Sequence, residues 1–86
     1  MKIKDCFILK NIAGVNTVIS TSSKTTFEGM ITLNDTGVFM WKLLEKGISS
    51  DELVEKMVEE YGIDKAIAQR DAQGFIDKLT TIDVFE

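Results

Sequence analysis

The sequence contains no proline, no histidine and only one cysteine, Cys6, among its 86 residues. A single cysteine cannot form an internal disulfide, and without histidine it lacks the usual partner for a thiol nucleophile or a Cys/His zinc site. A general base would have to be a carboxylate or a lysine shifted by burial, yet most acidic residues fall on predicted helix caps or solvent faces. Glycine-rich phosphate loops, CxxC pairs and EF-hand spacing are also lacking. We therefore predict no enzymatic activity, no catalytic residues, no metal and no cofactor.

Long apolar runs are lacking as well. There is no stretch of about 18 apolar residues, and the N-terminal Met1-Lys2-Ile3-Lys4 is followed by Asp5 rather than by the apolar region of a signal peptide. A chain of this length can bury one modest core. We expect one domain over residues 1–86, a cytoplasmic location and no membrane association.

The charge is unevenly distributed along the chain. Residues 1–27 carry a net charge of +3 and the remaining residues −7, which gives the overall −4. An acidic half repels phosphate backbones. This distribution argues against nucleic acid as a partner.

Three strands are predicted in the first part of the chain. Residues 6–12 are typical of a first strand, residues 13–16 of a turn and residues 17–19 of a second strand. Residues 20–26 lack an apolar anchor and are predicted to connect to a third strand at residues 29–33. Short connections favour an antiparallel meander, in which the third strand has an unpaired edge.

Three helices are predicted to follow. Asn34 is a suitable N-cap for a first helix with apolar positions 37, 40, 41 and 44, and Gly47 is placed to end it in a left-handed conformation. Ser49 and Glu52 form a capping box for a second helix, which Gly62 ends. Asp64 caps a third helix, whose predicted apolar face consists of Ala68, Ala72, Phe75, Leu79 and Ile82. The predicted fold class is α+β, a three-stranded antiparallel meander followed by three helices, similar to a winged helix.

Several stretches, in order, resemble the PqqD family. ITLNDTGVFMWKLLEKG, residues 31–47, resembles its hallmark strand end and Trp-containing helix, and ISSDELVEKMVEEYGID, residues 48–64, resembles its second helix. RDAQGFIDKL, residues 70–79, is similar to its third helix, and FILKNIAG, residues 7–14, to its first strand. Residues 80–86 lack the glycine that commonly closes the family's third helix, so we expect a different C-terminal ending.

The resemblance implies a peptide chaperone of the kind called a RiPP recognition element. Such proteins bind the leader of a ribosomally made, post-translationally modified precursor peptide and present it to a maturation enzyme, often a radical SAM protein. The resemblance leaves open whether the product is pyrroloquinoline quinone or another modified peptide. The chain is expected to be a monomer or weak dimer.

By the same resemblance, the leader adds as a strand to the third strand and lies in a groove bordered by the third helix. The sequence leaves open whether residues 30 and 32 or residues 29, 31 and 33 direct their backbone groups at the peptide. Gly74 either admits a peptide side chain or serves internal packing. The expected peptide-binding residues are Gly29, Met30, Ile31, Thr32, Leu33, Ile67, Arg70, Asp71, Gly74 and Lys78.

The sequence leaves two alternative functions open. A small sheet with consecutive helices is also typical of a winged-helix DNA-binding regulator, although the acidic second helix disfavours it. A general protein-interaction domain could use the same strand edge.

Overall fold

The computed structural model describes residues 1–20 and 30–86, with the side chain of Met30 excepted. The elements in chain order are β1 (Phe7–Ile12), β2 (Val15–Ser20), β3 (Met30–Leu33), α1 (Asp35–Lys46), α2 (Ser50–Tyr61) and α3 (Lys65–Thr81). The predicted α+β fold is confirmed. Gly29, predicted to begin the third strand, and the connection at residues 21–26 lie outside the described residues.

The first turn is shorter than the predicted turn at residues 13–16. Ala13 and Gly14 alone reverse the chain, with φ angles of 53° and 83°, the left-handed pair of a type I′ turn. Pairing between β1 and β2 therefore begins at Ile12 and Val15 and continues without a bulge to Phe7 and Ser20. The prediction was wrong because a two-residue turn leaves residues 15 and 16 free to pair.

The sheet has the strand order β1-β2-β3, and both ladders are antiparallel. Asn16 pairs with Leu33, Val18 with Ile31 and Ile19 with Met30. Val18 and Leu33 are buried on the face that the helices cover. The order leaves β3 as an edge strand, as predicted.

The start of α1 is determined by Asn34, whose side-chain oxygen accepts a hydrogen bond from the Gly37 N–H at 2.8 Å. The predicted apolar positions of this helix are all buried, and Trp41 is fully so. The predicted ending is wrong in one respect. Gly47 has a φ of 90° but a ψ of 120°, outside the left-handed helical region.

The predicted ends of α2 are both observed, whereas the predicted cap of α3 is observed only in part. Ser49 accepts from the Glu52 N–H at 3.2 Å and donates its hydroxyl to the Glu52 carboxylate at 3.1 Å. Gly62 ends α2 in the left-handed conformation. Both predictions are confirmed. Asp64 occupies the N-cap position of α3, but its side chain makes no capping hydrogen bond.

The core face of α3 differs from the predicted one by one position. Ile76 is buried, whereas Phe75 and Ile82 are only half-buried. Consecutive helical residues are separated by about 100° around the axis, so burying Ile76 turns Phe75 toward the edge of the core. The buried residues of this helix are Ala68, Ala72, Ile76 and Leu79.

The two ends of the chain pair with each other. The Lys4 N–H donates to the Val84 carbonyl at 2.8 Å, and the Glu86 N–H donates to the Lys2 carbonyl at 2.9 Å. Val84 is fully buried. Asp83, which precedes it, has a φ of 58°, so an aspartate occupies a left-handed position after α3. The expected difference in the C-terminal ending is thus explained.

We expect Asp83→Ala to lower the free energy of unfolding by about 1 kcal/mol or more. Alanine in a left-handed conformation costs about 1–2 kcal/mol, whereas Asp and Asn tolerate it. Asp83→Gly should stay within about 0.5 kcal/mol of the parent because glycine has no such cost. Urea denaturation measures both. Asp83→Asn controls for the exposed ion pair with Lys4, formed at 3.1 Å, and equal stability of the Ala and Gly variants would contradict this explanation.

Candidate functional site

The direction of the backbone groups in the sheet follows from the first turn. Residues that flank a two-residue type I′ turn exchange both backbone hydrogen bonds, and such bonded pairs alternate along an antiparallel ladder. Ile12 and Val15 flank the turn, and the register is continuous. Residues 15, 17 and 19 of β2 therefore direct their N–H and C=O groups at β1, and residues 16, 18 and 20 direct theirs toward β3.

The same alternation continues into β3. Leu33 and Ile31 lie opposite Asn16 and Val18, so their backbone groups bond to β2. Met30 and Thr32 consequently direct their N–H and C=O groups at the outer edge. Of the two sets that the sequence left open, residues 30 and 32 are therefore the ones whose backbone groups face the outer edge.

A groove of about 440 Å³ lies beside this edge, within the range of about 300–1,000 Å³ that is common for ligand sites. One wall begins directly after β3, at Asn34, and the other is formed by α3. From the first wall come Asn34, Thr36, Gly37 and Met40, and from α3 come Arg70, Asp71, Gly74, Phe75 and Lys78.

Four of the five expected α3 residues, Arg70, Asp71, Gly74 and Lys78, line this groove. Ile67 does not, although its side chain is 39% exposed on the same helix. Sequence reasoning missed Phe75 and the α1 wall. Helical spacing assigned Gly37, Met40 and Phe75 to the core, and Asn34 was predicted only as a helix cap. The sequence did contain a signal for the α1 wall. Asn34-Asp35-Thr36 directly follows the third strand, so the first turn of α1 must lie next to the edge of β3.

The two glycines of the groove have different surroundings. A Cβ at Gly37 would lie 3.2 Å from Asn34 Oδ1 and 3.3 Å from Leu33 Cβ, so glycine lets α1 approach β3 closely. A Cβ at Gly74 would meet nothing within 4 Å. Packing against the described residues therefore gives no reason for glycine at position 74, although glycine within a helix costs about 1 kcal/mol relative to alanine.

The groove is locally positive in an acidic protein. Its charged residues are Arg70, Lys78 and Asp71, and none of them forms an ion pair with another described residue. A larger hollow of about 610 Å³ lies along α2, but Glu52, Glu55, Lys56, Glu59 and Lys65 make up most of its lining. The lining of the 440 Å³ groove, by contrast, includes Asn34, which directly follows β3.

Within residues 1–20 and 30–86, no group of three or more His, Cys, Asp or Glu side chains could hold a metal ion. No helix there is long and apolar enough to cross a membrane.

An antiparallel meander covered by three helices, with an edge strand that no other described strand pairs on its outer side and a groove beside it, defines a small α+β domain with the geometry for strand addition. The family model described as "Coenzyme PQQ synthesis protein D (PqqD)" matches residues 18–83. Because this match covers more than half of the chain, the chain belongs to the PqqD family. Among curated proteins, none matches the sequence significantly.

Two solved structures are similar to this chain. One is TbiB1 in complex with the TbiA(β) leader peptide, with 26% identity, a TM-score of 0.79 and coverage of 100% of this chain and 95% of that chain. The other is lasso peptide synthetase B1 complexed with the leader peptide, with 18% identity, a TM-score of 0.73 and coverage of 93% of this chain and 89% of that chain. At 18% identity, the second likeness supports the fold alone.

We expect Gly74→Ala to raise the free energy of unfolding by about 0.5–1 kcal/mol, because the added methyl group meets no neighbour and alanine favours the helix. Gly37→Ala is the matched control, since its Cβ would contact Asn34 and Leu33. The free energy of unfolding of Gly37→Ala should equal that of the parent or be lower. Urea denaturation of both variants measures the difference, and a destabilised Gly74→Ala would show that glycine is needed for internal packing.

Proposed function

We propose that this chain is a RiPP recognition element, which binds the leader segment of a ribosomally made precursor peptide by strand addition along β3. The observation that carries the proposal is the coincidence of an open strand edge, at Met30 and Thr32, with a groove that begins at Asn34. The similar fold of TbiB1, solved with a leader peptide, supports it over the full length of this chain.

Main-chain pairing alone is too weak for this function. Met30 and Thr32 offer four backbone groups, and at about 0.5–1.5 kcal/mol for each net hydrogen bond they contribute about 2–6 kcal/mol. A dissociation constant of about 1 μM requires about 8 kcal/mol, and association has its own entropic cost. The groove must supply the remainder through side chains of the peptide. Arg70, Asp71, Gly74, Phe75 and Lys78 are the α3 residues placed for this contact.

The proposed role is binding and presentation rather than catalysis. The peptide would occupy one edge of the sheet and one groove, which leaves the turn end of the outer sheet face accessible, where Ile12 and Val15 are 47% and 46% exposed. A maturation enzyme, of the radical SAM class or another, can then engage the same chain while the leader is bound. The family description, a coenzyme synthesis protein, is consistent with work alongside modifying enzymes.

We expect Thr32→Pro to remain folded and to lose at least about tenfold in leader affinity. Proline removes only an outward N–H at this exposed position, but that group and the space around it are needed by the peptide. Ile31→Pro should unfold the domain because it breaks a bond to β2. Circular dichroism, together with calorimetric titration of a candidate leader peptide taken from a short reading frame near this gene, distinguishes the two outcomes.

Two controls accompany this pair. Ile31→Ala measures the loss of the half-buried side chain without loss of the N–H. Asn11→Pro removes an outward N–H from the opposite edge, on β1. Because Asn11 Oδ1 also accepts from the Gly14 N–H at 3.1 Å in the turn, Asn11→Ala is measured beside it, and Asn11→Pro should match Asn11→Ala in stability and retain the affinity of the parent. If Thr32→Pro binds the leader as tightly as the parent does, strand addition at β3 is not the mode of recognition.

A further inference from the structure

The hairpin between β1 and β2 ends in an exposed apolar tip. The four residues of this hairpin tip, all exposed, are Ile12, Ala13, Gly14 and Val15. Ile12 and Val15 lie opposite each other across the turn and are 47% and 46% exposed. Pairing between β2 and β3 stops at Asn16 and Leu33, so the hairpin tip extends beyond the end of β3.

The turn in the hairpin tip contains a residue that is poorly suited to it. Ala13 has a φ of 53°, and the left-handed conformation is unfavourable for alanine. Asparagine, aspartate or glycine would adopt it at lower cost, and Asn-Gly is the pair that a type I′ turn favours. Packing among the described residues gives no reason for alanine here. An apolar residue in a strained, exposed position points to a contact with another molecule.

The hairpin tip is held in a fixed arrangement by Asn11. The Asn11 Oδ1 accepts a hydrogen bond from the Gly14 N–H at 3.1 Å, and the Asn11 Nδ2 donates to Asn16 Oδ1 at 3.3 Å. The β1–β2 ladder begins at the turn and continues without a bulge. The exposed apolar side chains therefore lose little conformational entropy when a partner binds them.

The charge beside the hairpin tip is positive. Lys10 is the only charged residue of β1 and β2. Its side chain shares the face of Ile12 and Val15, because alternate residues of a strand point to the same side. Lys10 forms no ion pair with a described residue. A complementary surface would combine an apolar pocket with a carboxylate on its rim.

The small size of this surface restricts the kind of partner that can use it. A stable interface between two proteins takes about 20–30 residues a side, far more than the hairpin tip and Lys10 supply. A second copy meeting the hairpin tip with its own would add the same positive charge, and a lipid surface requires a larger apolar face or a cluster of cations. A partner held by a second contact can use a small surface, because that contact raises the effective concentration. An enzyme that acts on the bound precursor is such a partner.

The position of the hairpin tip also suits an enzyme of this kind. β3 directs its outer edge away from β1 and β2, so a peptide paired there leaves the hairpin tip accessible. A peptide strand on β3 would nevertheless lie only two strand spacings, about 10 Å, from β2. A protein docked on the hairpin tip is therefore close to the bound peptide.

We propose that the hairpin tip is the element of this chain that docks the peptide-maturation enzyme, by entering an apolar pocket that has a carboxylate on its rim. This inference rests on the proposed function, because the enzyme must also engage the leader that β3 holds. The leader uses the outer edge of β3, and the enzyme uses the turn end of β1 and β2. Both can therefore be bound at the same time.

The probe for this proposal is a candidate radical SAM or other peptide-modifying enzyme encoded near this gene, titrated against the chain saturated with a candidate leader peptide. Ile12→Thr and Val15→Thr retain the β-branched shape that suits a strand. Each should weaken enzyme binding by at least about fivefold, because a hydroxyl group enters an apolar pocket. Leader affinity should stay within about twofold of the parent. Enzyme binding as tight as that of the parent in both variants would overturn the proposal.

Ile8→Thr is the matched control for these two variants. Ile8 is 37% exposed and lies on the same face of β1 as Ile12, but away from the turn. Ile8→Thr should leave both affinities within about twofold of the parent. A loss of enzyme affinity equal to that of Ile12→Thr would contradict the assignment to the hairpin tip.

Ala13→Asn separates a binding role from a structural one. Asparagine relieves the left-handed strain, so the midpoint of urea denaturation should rise. The same substitution places an amide in an apolar pocket, so enzyme affinity should fall by at least about threefold. A merely structural role would not make a more stable variant bind the enzyme more weakly. Unchanged enzyme affinity would contradict the inference drawn from the strain at Ala13.

Lys10→Glu tests the charge on the rim. Reversal of an exposed charge should weaken enzyme binding by about two- to fivefold at low salt, with a smaller loss at physiological salt. Equal affinity of Lys10→Glu and the parent at low salt would contradict a carboxylate on the rim of the pocket.

The failure of this inference differs from failure of the proposed function. If the parent chain binds no enzyme while the leader is bound, presentation is wrong and the inference fails with it. If leader and enzyme bind together but the threonine variants dock the enzyme as the parent does, the function stands and only the docking element is wrong. Sedimentation of the chain alone and flotation with phosphatidylglycerol–phosphatidylcholine vesicles complete the test. Self-association or vesicle binding that Ile12→Thr abolishes would assign the hairpin tip to another occupant and overturn the proposal.

Discussion

The two-residue turn at Ala13 and Gly14 determines where the backbone groups of the whole sheet point. It makes Ile12 and Val15 a hydrogen-bonded pair, and the continuous register carries that alternation through β2 into β3. The residues of β3 whose side chains enter the core, Ile31 and Leu33, are therefore those whose backbone groups are used internally. Thr32, whose backbone faces outward, carries its exposed side chain on the face opposite the helices. A partner strand can be added without disturbing the core.

The junction between β3 and α1 places a groove directly beside this edge. Asn34 caps the helix immediately after the strand, and Gly37 removes the Cβ that would otherwise meet Leu33. The chain thus passes from strand to helix with no intervening loop. A Cβ at Gly74, on the opposite wall, would meet no described residue within 4 Å. Gly37 serves the packing of α1 on β3, whereas packing among the described residues does not require glycine at position 74.

Local interactions made much of the fold predictable from the sequence. The caps at Asn34 and Ser49 and the stop at Gly62 depend on residues within one helical turn, so their signals lie in short stretches. Short stretches could not predict that Ile76 rather than Phe75 is buried. Both residues are apolar neighbours on α3, and which of them enters the core depends on the surface against which the helix packs. The conformation of Gly47 and the length of the first turn likewise depend on backbone angles that residue type leaves open.

The candidate site was predictable on one side only. Four groove residues of α3 followed from the family resemblance, whereas Thr36, Gly37 and Met40 belong to a stretch whose spacing indicates core. The side of β3 that faces outward required the register, a property of three strands together. The net charge of each half of the chain did not predict the charge of the groove, because the acidic half contributes Arg70 and Lys78, which form no ion pair with a described residue.

Amide hydrogen exchange measured by NMR tests the central claim most directly, because it reads each backbone group of β3 separately. In the free protein, the amides of Ile31 and Leu33 should exchange slowly, since they bond to β2, and that of Thr32 should exchange rapidly. Saturation with leader peptide should slow exchange at Met30 and Thr32 and leave Ile31 and Leu33 as they were. Slow exchange at Thr32 in the free protein, or rapid exchange there in the saturated complex, would contradict the account.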